Sequence, residues 1–90
     1  MKREWDEVKR QRTLNERALD FADAELIPSG PHLRAPVRMV PGEVRWIATG
    51  LIEDVHVTVV FTERGSATRI ISMRRARDDE RRKYQEVFKG

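Results

Sequence analysis

The most constraining feature of this chain is a strict alternation in its second half. Val55, Val57, Val59 and Phe61 alternate with His56, Thr58, Val60 and Thr62, a period of two that fits a strand with one buried face. Other segments keep the same period. Val44, Trp46 and Ala48 alternate with Arg45, Ile47 and Thr49, Leu33, Ala35 and Val37 alternate with Arg34 and Arg38, and residues 68–73 return as a fourth run. The connections are short: Pro41-Gly42, Gly50 to Asp54, and Glu63-Arg64-Gly65-Ser66, where Gly65 adopts positive φ at little cost. A parallel pair needs a crossover of about a dozen residues or more, so the four strands are predicted to form an antiparallel meander. Pro36 has no amide hydrogen and marks the first of them as an edge strand.

Helical signals bracket the strands. Asp6 can cap a first helix over about 6–17, whose thin apolar stripe is Trp5, Val8 and Leu14. Asp20, with Asp23 three residues on, opens a second, shorter helix that buries Phe21, Ala24 and Leu26-Ile27. Pro28-Ser29-Gly30-Pro31 ends it. Residues 76–88 form the last helix, with Ala76, Tyr84 and Val87/Phe88 on one face and Asp78/Arg82 and Asp79/Lys83 at i,i+4 spacing. The expected class is α+β, with two N-terminal helices, a four-stranded antiparallel β-meander and a C-terminal helix, the helices packed on one face. With 90 residues, 1–90 is read as a single domain.

Composition removes several function classes. The absence of cysteine excludes disulfides, thiol nucleophiles and thiolate zinc sites, and His32 and His56 lie too far apart in sequence to suggest a metal cluster. No cofactor is implied. No apolar run approaches the ~20 residues of a membrane span, and Met1–Asp6 has no signal-peptide core, so a cytoplasmic location without membrane association is expected. Phosphate-cradling and hydrolase-elbow glycine motifs are missing. The net charge is +3, and residues 74–90 carry seven basic against four acidic side chains. The whole excess sits in that tail, which suggests an anionic partner, nucleic acid or acidic protein, unless it is a solvated helix face.

One cluster has the composition for chemistry. Glu63-Arg64, Arg69, Arg74-Arg75 and Tyr84 run through the last hairpin, the fourth strand and the final helix. RNA cleavage without a metal needs a proton taken from the 2′-hydroxyl, a neutralised phosphorane and a protonated leaving oxygen. Guanidinium groups meet the phosphate in bidentate fashion, and a carboxylate, imidazole or phenol moves protons. Trp46, Phe61 or Tyr84 could stack a base. By composition alone, an arginine-rich surface of structural ion pairs is the favoured account, and His56 reads first as a structural or solvent-exposed histidine rather than a general base.

Five short motifs in one order resemble a known family. Trp5-Asp6-Glu7-Val8-Lys9 is similar to the W-D-x-x-K opening of BrnT-type toxins, and Leu14–Ala24 follows their second segment. Gly42-Glu43-Val44-Arg45-Trp46 resembles their G-E-x-R-aromatic strand, Thr62-Glu63-Arg64-Gly65 their T-x-R-G, and Arg69–Ala76 their R-I-I-S-x-R-x-A signature. Arg17 and Ala18 stand where many members have histidine and glycine, and Val40-Pro41 where an acidic residue and an aromatic are usual.

The resemblance implies a RelE-like, barnase-like small ribonuclease, the toxin of a type II toxin–antitoxin pair. Its implied partners are RNA and a BrnA-like antitoxin, with DNA reached only through that antitoxin. On the matching motifs, residue chemistry gives Arg64, Arg74 and Arg75 the scissile phosphate. Arg45, Trp46 and Arg69 are assigned to RNA binding, and Glu63, His56 or Tyr84 to proton transfer. The alternatives are a degenerate toxin that only binds its antitoxin as a co-repressor, suggested by Val40 and Pro41, and a generic RNA-binding domain.

Overall fold

The alternating segments do form a sheet, and it has five strands. The computed structural model describes residues 2–40 and 43–88, the side chains at 2, 38–40 and 64 excepted. The strands are β1 (Lys2–Glu4), β2 (His32–Val40), β3 (Glu43–Ile52), β4 (Val55–Arg64) and β5 (Ala67–Arg75), in the spatial order β1-β5-β4-β3-β2. β2 to β5 make the expected antiparallel meander. β1 corrects the four-stranded expectation: it pairs parallel to β5, with Arg3 opposite Thr68, and makes the sheet mixed. Lys2-Arg3-Glu4 has no apolar alternation, so its pairing comes from the open edge of β5 rather than from a local pattern.

The turns follow backbone sterics. β3 continues past Gly50 to Ile52, and the reversal is made by Glu53 and Asp54, both at positive φ (49° and 67°). This is the requirement of a two-residue turn matched to strand twist. Gly65, at φ 59°, serves the β4–β5 hairpin. The Pro41-Gly42 turn lies outside the described residues.

The helices are α1 (Glu7–Arg17), α2 (Leu26–Ser29) and α3 (Asp78–Phe88). Asp6 caps α1, accepting from the Val8 and Lys9 amides at 2.9 and 3.3 Å. Val8 faces solvent, however, and the buried side chain of this helix is Thr13. The second expected helix is instead a 3-10 turn over Phe21–Asp23 followed by the single-turn α2. Phe21, Ala24 and Ile27 are all buried while Leu26 is exposed. Their spacing of three suits the tighter 3-10 geometry better than a continuous α-helix.

These segments close one sheet face over Ala48, Val57, Val59, Phe61, Ile70 and Met73, which form the core with Leu19, Phe21, Ala24 and Ile27. Gly50 permits the approach of α2. A Cβ there would sit 3.2 Å from the Pro31 carbonyl oxygen and 3.3 Å from the Ile27 side chain. Beyond the end of β1, α1 takes over the β5 edge: Lys9 Nζ donates to the Ile71 carbonyl at 2.7 Å and Arg17 Nη1 to that of Met73 at 2.9 Å. Arg10 joins α1 to the next segment, donating to both Asp20 carboxylate oxygens at 2.8 and 3.2 Å. That pairing holds the Asp20 carboxyl below its usual range, helped by the Ala22 amide.

α3 is on the other face, which corrects the expectation of helices on one side only. Its Glu80 accepts from Arg74 and from the Thr58 hydroxyl on the sheet. No helix among the described residues is long and apolar enough to cross a membrane.

Candidate active site

The face opposite the core is built in three rungs across β3, β4 and β5. Thr49, Thr58 and Arg74 form one end, Ile47, Val60 and Ser72 the middle, and Arg45, Thr62 and Arg69 the other end. A bulge makes this possible. Val60 pairs with Ser72 and Phe61 with Ile70, so Ile71 is an extra, unpaired residue. Arg69 and Arg74 are an odd number of positions apart and would lie on opposite faces of a regular strand. Ile71 resets the alternation and brings both to this face, while Ile70 and Met73 both enter the core.

The Arg45–Thr62–Arg69 end opens into a polar cleft of about 210 Å³ lined also by Asp6, Lys9 and Glu43. Arg45 Nε is buried without a hydrogen-bond partner among the described residues and lies 3.8 Å from Glu43 Oε2. Thr62 on the floor donates to the Val44 carbonyl at 2.9 Å. The cleft therefore sets two carboxylates, Glu43 and the helix-capping Asp6, beside two guanidiniums and an ammonium. Such a set can hold a phosphate and accept a proton next to it.

The opposite end is held by α3. Arg74 Nη1 and Nη2 donate to the two Glu80 oxygens at 2.8 and 3.0 Å. Thr49 and Thr58 hydroxyls are 2.8 Å apart, and Thr58 donates to Glu80 at 3.0 Å. The Arg77 amide also donates to Glu80, at 2.8 Å, the backward half of a capping box for α3. With Arg74 as the leading cause, then the Arg77 amide and Thr58, the Glu80 carboxyl is held down at about 2. His56 and Tyr84 meet edge to face under this helix at 5.3 Å, and Tyr84 leans on Phe88 at 4.8 Å.

The residues singled out in the sequence thus divide. Arg45, Arg69, Arg74, His56 and Tyr84 share this face, with Tyr84 buried and Arg74 committed to Glu80. Arg74 and Arg75 leave β5 on opposite faces, yet both line an open cavity with Arg17 at the strand's edge. Neighbours on a strand point oppositely, and Arg75 lies on the core side, lining a shallow cavity with Ala18, Asp23 and Glu53. Glu63 and Trp46 also belong to the core side, and Phe61 is buried there. The Arg64 side chain lies outside the described residues. Sequence reasoning passed over Glu43 and Lys9 as site residues. The pairing of Glu43 with Arg45 at i,i+2 on an alternating strand was the available signal for the first, whereas Lys9 arrives from α1 with none.

The fold class is thus a small α+β one, with an apolar core on one face of a mixed sheet and a charged cleft, richer in cations than carboxylates, on the other. The family comparison is more specific. Residues 5–80 match the model described as "Ribonuclease toxin, BrnT, of type II toxin-antitoxin system". The chain belongs to the BrnT family. The matched span runs from Trp5, packed against the core, to Glu80, the anchor of α3. No curated protein matches the chain.

Proposed function

We propose that this chain, acting as one domain over 1–90, is a metal-independent endoribonuclease toxin of RelE-like, barnase-like type. It works in the cytoplasm and is neutralised by a BrnA-like antitoxin, with DNA reached only through that partner. The observation that carries the site is the bulge at Ile71, which puts Arg69 on the rung of Thr62 and Arg45 beside Glu43. Arg45 and Arg69 bind the scissile phosphate and neutralise the charge that develops on its oxygens. Glu43 accepts the 2′-hydroxyl proton as that oxygen attacks phosphorus. The bond to the 5′-oxygen breaks, and the departing oxygen takes a proton from the Lys9 ammonium or from water, leaving a 2′,3′-cyclic phosphate. Arg74 acts through Glu80 by fixing α3, and His56 with Tyr84 extends the same face away from the cleft.

The test uses the whole chain with a labelled RNA in EDTA. Cleavage to cyclic-phosphate ends is expected, with Glu43→Gln slowing it at least 100-fold, the order expected of a proton-transfer group. Raising salt should weaken RNA binding steeply through counterion release. RNA that is bound but never shortened would replace the toxin reading with a binding module. Arrest of growth on inducing the chain, relieved by a co-expressed antitoxin, tests the biological role.

A further inference from the structure

The core side of the sheet carries a second cavity, behind the hairpin end that forms the cleft. It measures about 250 Å³, has Val59, Phe61 and Ile70 as its floor, and is rimmed by Arg34, Glu63 and Thr68. The Arg34 guanidinium lies 5.1 Å from the Phe61 ring centre and 5.3 Å from that of Trp46. Among the described residues, neither the Glu63 carboxylate nor the Arg34 guanidinium has a hydrogen-bond or ion-pair partner. The other rim arginine, Arg3, is occupied by the Ala22 carbonyl at 2.8 Å and Glu25 at 3.4 Å. An apolar slot thus carries one opposite pair of charges whose hydrogen-bonding capacity is unspent.

We propose that this slot binds a guanine base of the RNA. The proposal rests on the ribonuclease reading for its substrate and adds a base subsite to it. The size is just under the roughly 300–1,000 Å³ of small-ligand clefts, which suits a base more than a whole nucleotide. The apolar floor supplies a face against which a single-stranded base stacks. The edges decide which base. Guanine presents two adjacent N–H donors, N1 and N2, to an acceptor-only carboxylate such as Glu63. It also presents O6 and N7 acceptors, the usual partners of an arginine. Adenine and cytosine each offer one exocyclic amine and uracil one N3–H, so none of them meets the carboxylate with two adjacent donors as guanine does. Glu63 and Thr68 pair on the rung next to Thr62 and Arg69. The slot and the cleft therefore lie on opposite faces at the same end of the sheet, and an RNA strand that engages both passes around that end.

Guanosine, inosine and adenosine, all without phosphate and so blind to the arginine cleft, are titrated into the full chain while the Trp46 indole resonance is followed by NMR. Guanosine should move that resonance and bind at least tenfold more tightly than adenosine, with inosine, lacking the N2 donor, in between. Glu63→Gln and, separately, Arg34→Gln should each abolish the preference, and Glu63→Gln should shift the positions cut in a mapped RNA. Equal response to guanosine and adenosine, no response, or an unchanged preference in folded Glu63→Gln protein would overturn the subsite. A chain that cuts RNA but ignores guanosine loses this inference and keeps the ribonuclease. A chain that selects guanosine but leaves RNA intact does the reverse.

Discussion

The two faces of the sheet come from the same strands and are held in opposite ways. On one, Val57, Val59 and Met73 are completely or almost completely out of water beneath Phe21, Ala24 and Ile27. Its cover is apolar and insensitive to charge. On the other, α3 is fastened through Glu80 to Arg74 and Thr58, and the Arg45–Arg69 end is left open. The contrast teaches that the apolar face bears the stability with which the polar face holds charges in place. A sheet closed equally on both sides would leave no phosphate-sized opening.

That division predicts a separation of effects. The largest is on chemistry. Replacing Arg45 and Arg69 together by alanine should lower RNA cleavage at least 100-fold, while thermal melting moves little because both side chains line an open polar cleft and lie outside the apolar core. A large fall in melting temperature with that pair would show that the cleft is structural. On the apolar face the order reverses. Met73→Ala should cost about 2–5 kcal/mol by chemical denaturation, through lost burial and the cavity left behind. The specific activity of the protein that remains folded should be near that of the parent.

The third effect concerns α3. The Glu80 carboxyl titrates at about 2 in the folded chain against 4.5 when unperturbed, so the folded state resists its protonation. Its contribution is fully present above about pH 4.5 and is lost as pH falls toward 2. With screening at this partly exposed pair, the loss is on the order of 2 kcal/mol. Glu80→Gln should remove it at neutral pH and flatten the acid limb of a stability-against-pH curve between about pH 5 and 2. An unchanged acid limb would place α3's hold elsewhere. The smallest effect is at Ala18, which ends α1 in the left-handed region at φ 56°. Ala18→Gly should raise stability by about 0.5–1 kcal/mol, read from the denaturation midpoint, since glycine takes that conformation without a Cβ clash.

Much of this architecture is legible in the sequence. The period-two runs gave β2 to β5, Pro36 gave the edge, and Asp6 gave the start of α1. The missing parts share a cause. β1 is three polar residues whose partner, Ala67 to Arg69, lies in the last third of the chain, and no local pattern encodes such a pairing. The bulge has a faint trace in the adjacent Ile70-Ile71, two large apolar residues where alternation asks for one, but only the opposing Phe61 shows which is extra. That Arg74 and Arg75 leave the strand on opposite faces was open to view, because strand neighbours always point apart. The side chosen by α3 was not, since it depends on where Glu80 finds Arg74.

The sequence by itself determined the element types, the antiparallel order of the meander, the basic tail and, through its motifs, the family. Those follow from local sterics, hydrophobic period and short connections, which act within a few residues. Only the tertiary structure decided which charges meet: Glu43 with Arg45 and Lys9 in one cleft, Arg74 with Glu80 under α3, Glu63 and Arg34 across an apolar slot. Side-chain encounters between segments distant in the chain depend on register, and one unpaired residue at Ile71 is enough to move an arginine from one face of the sheet to the other.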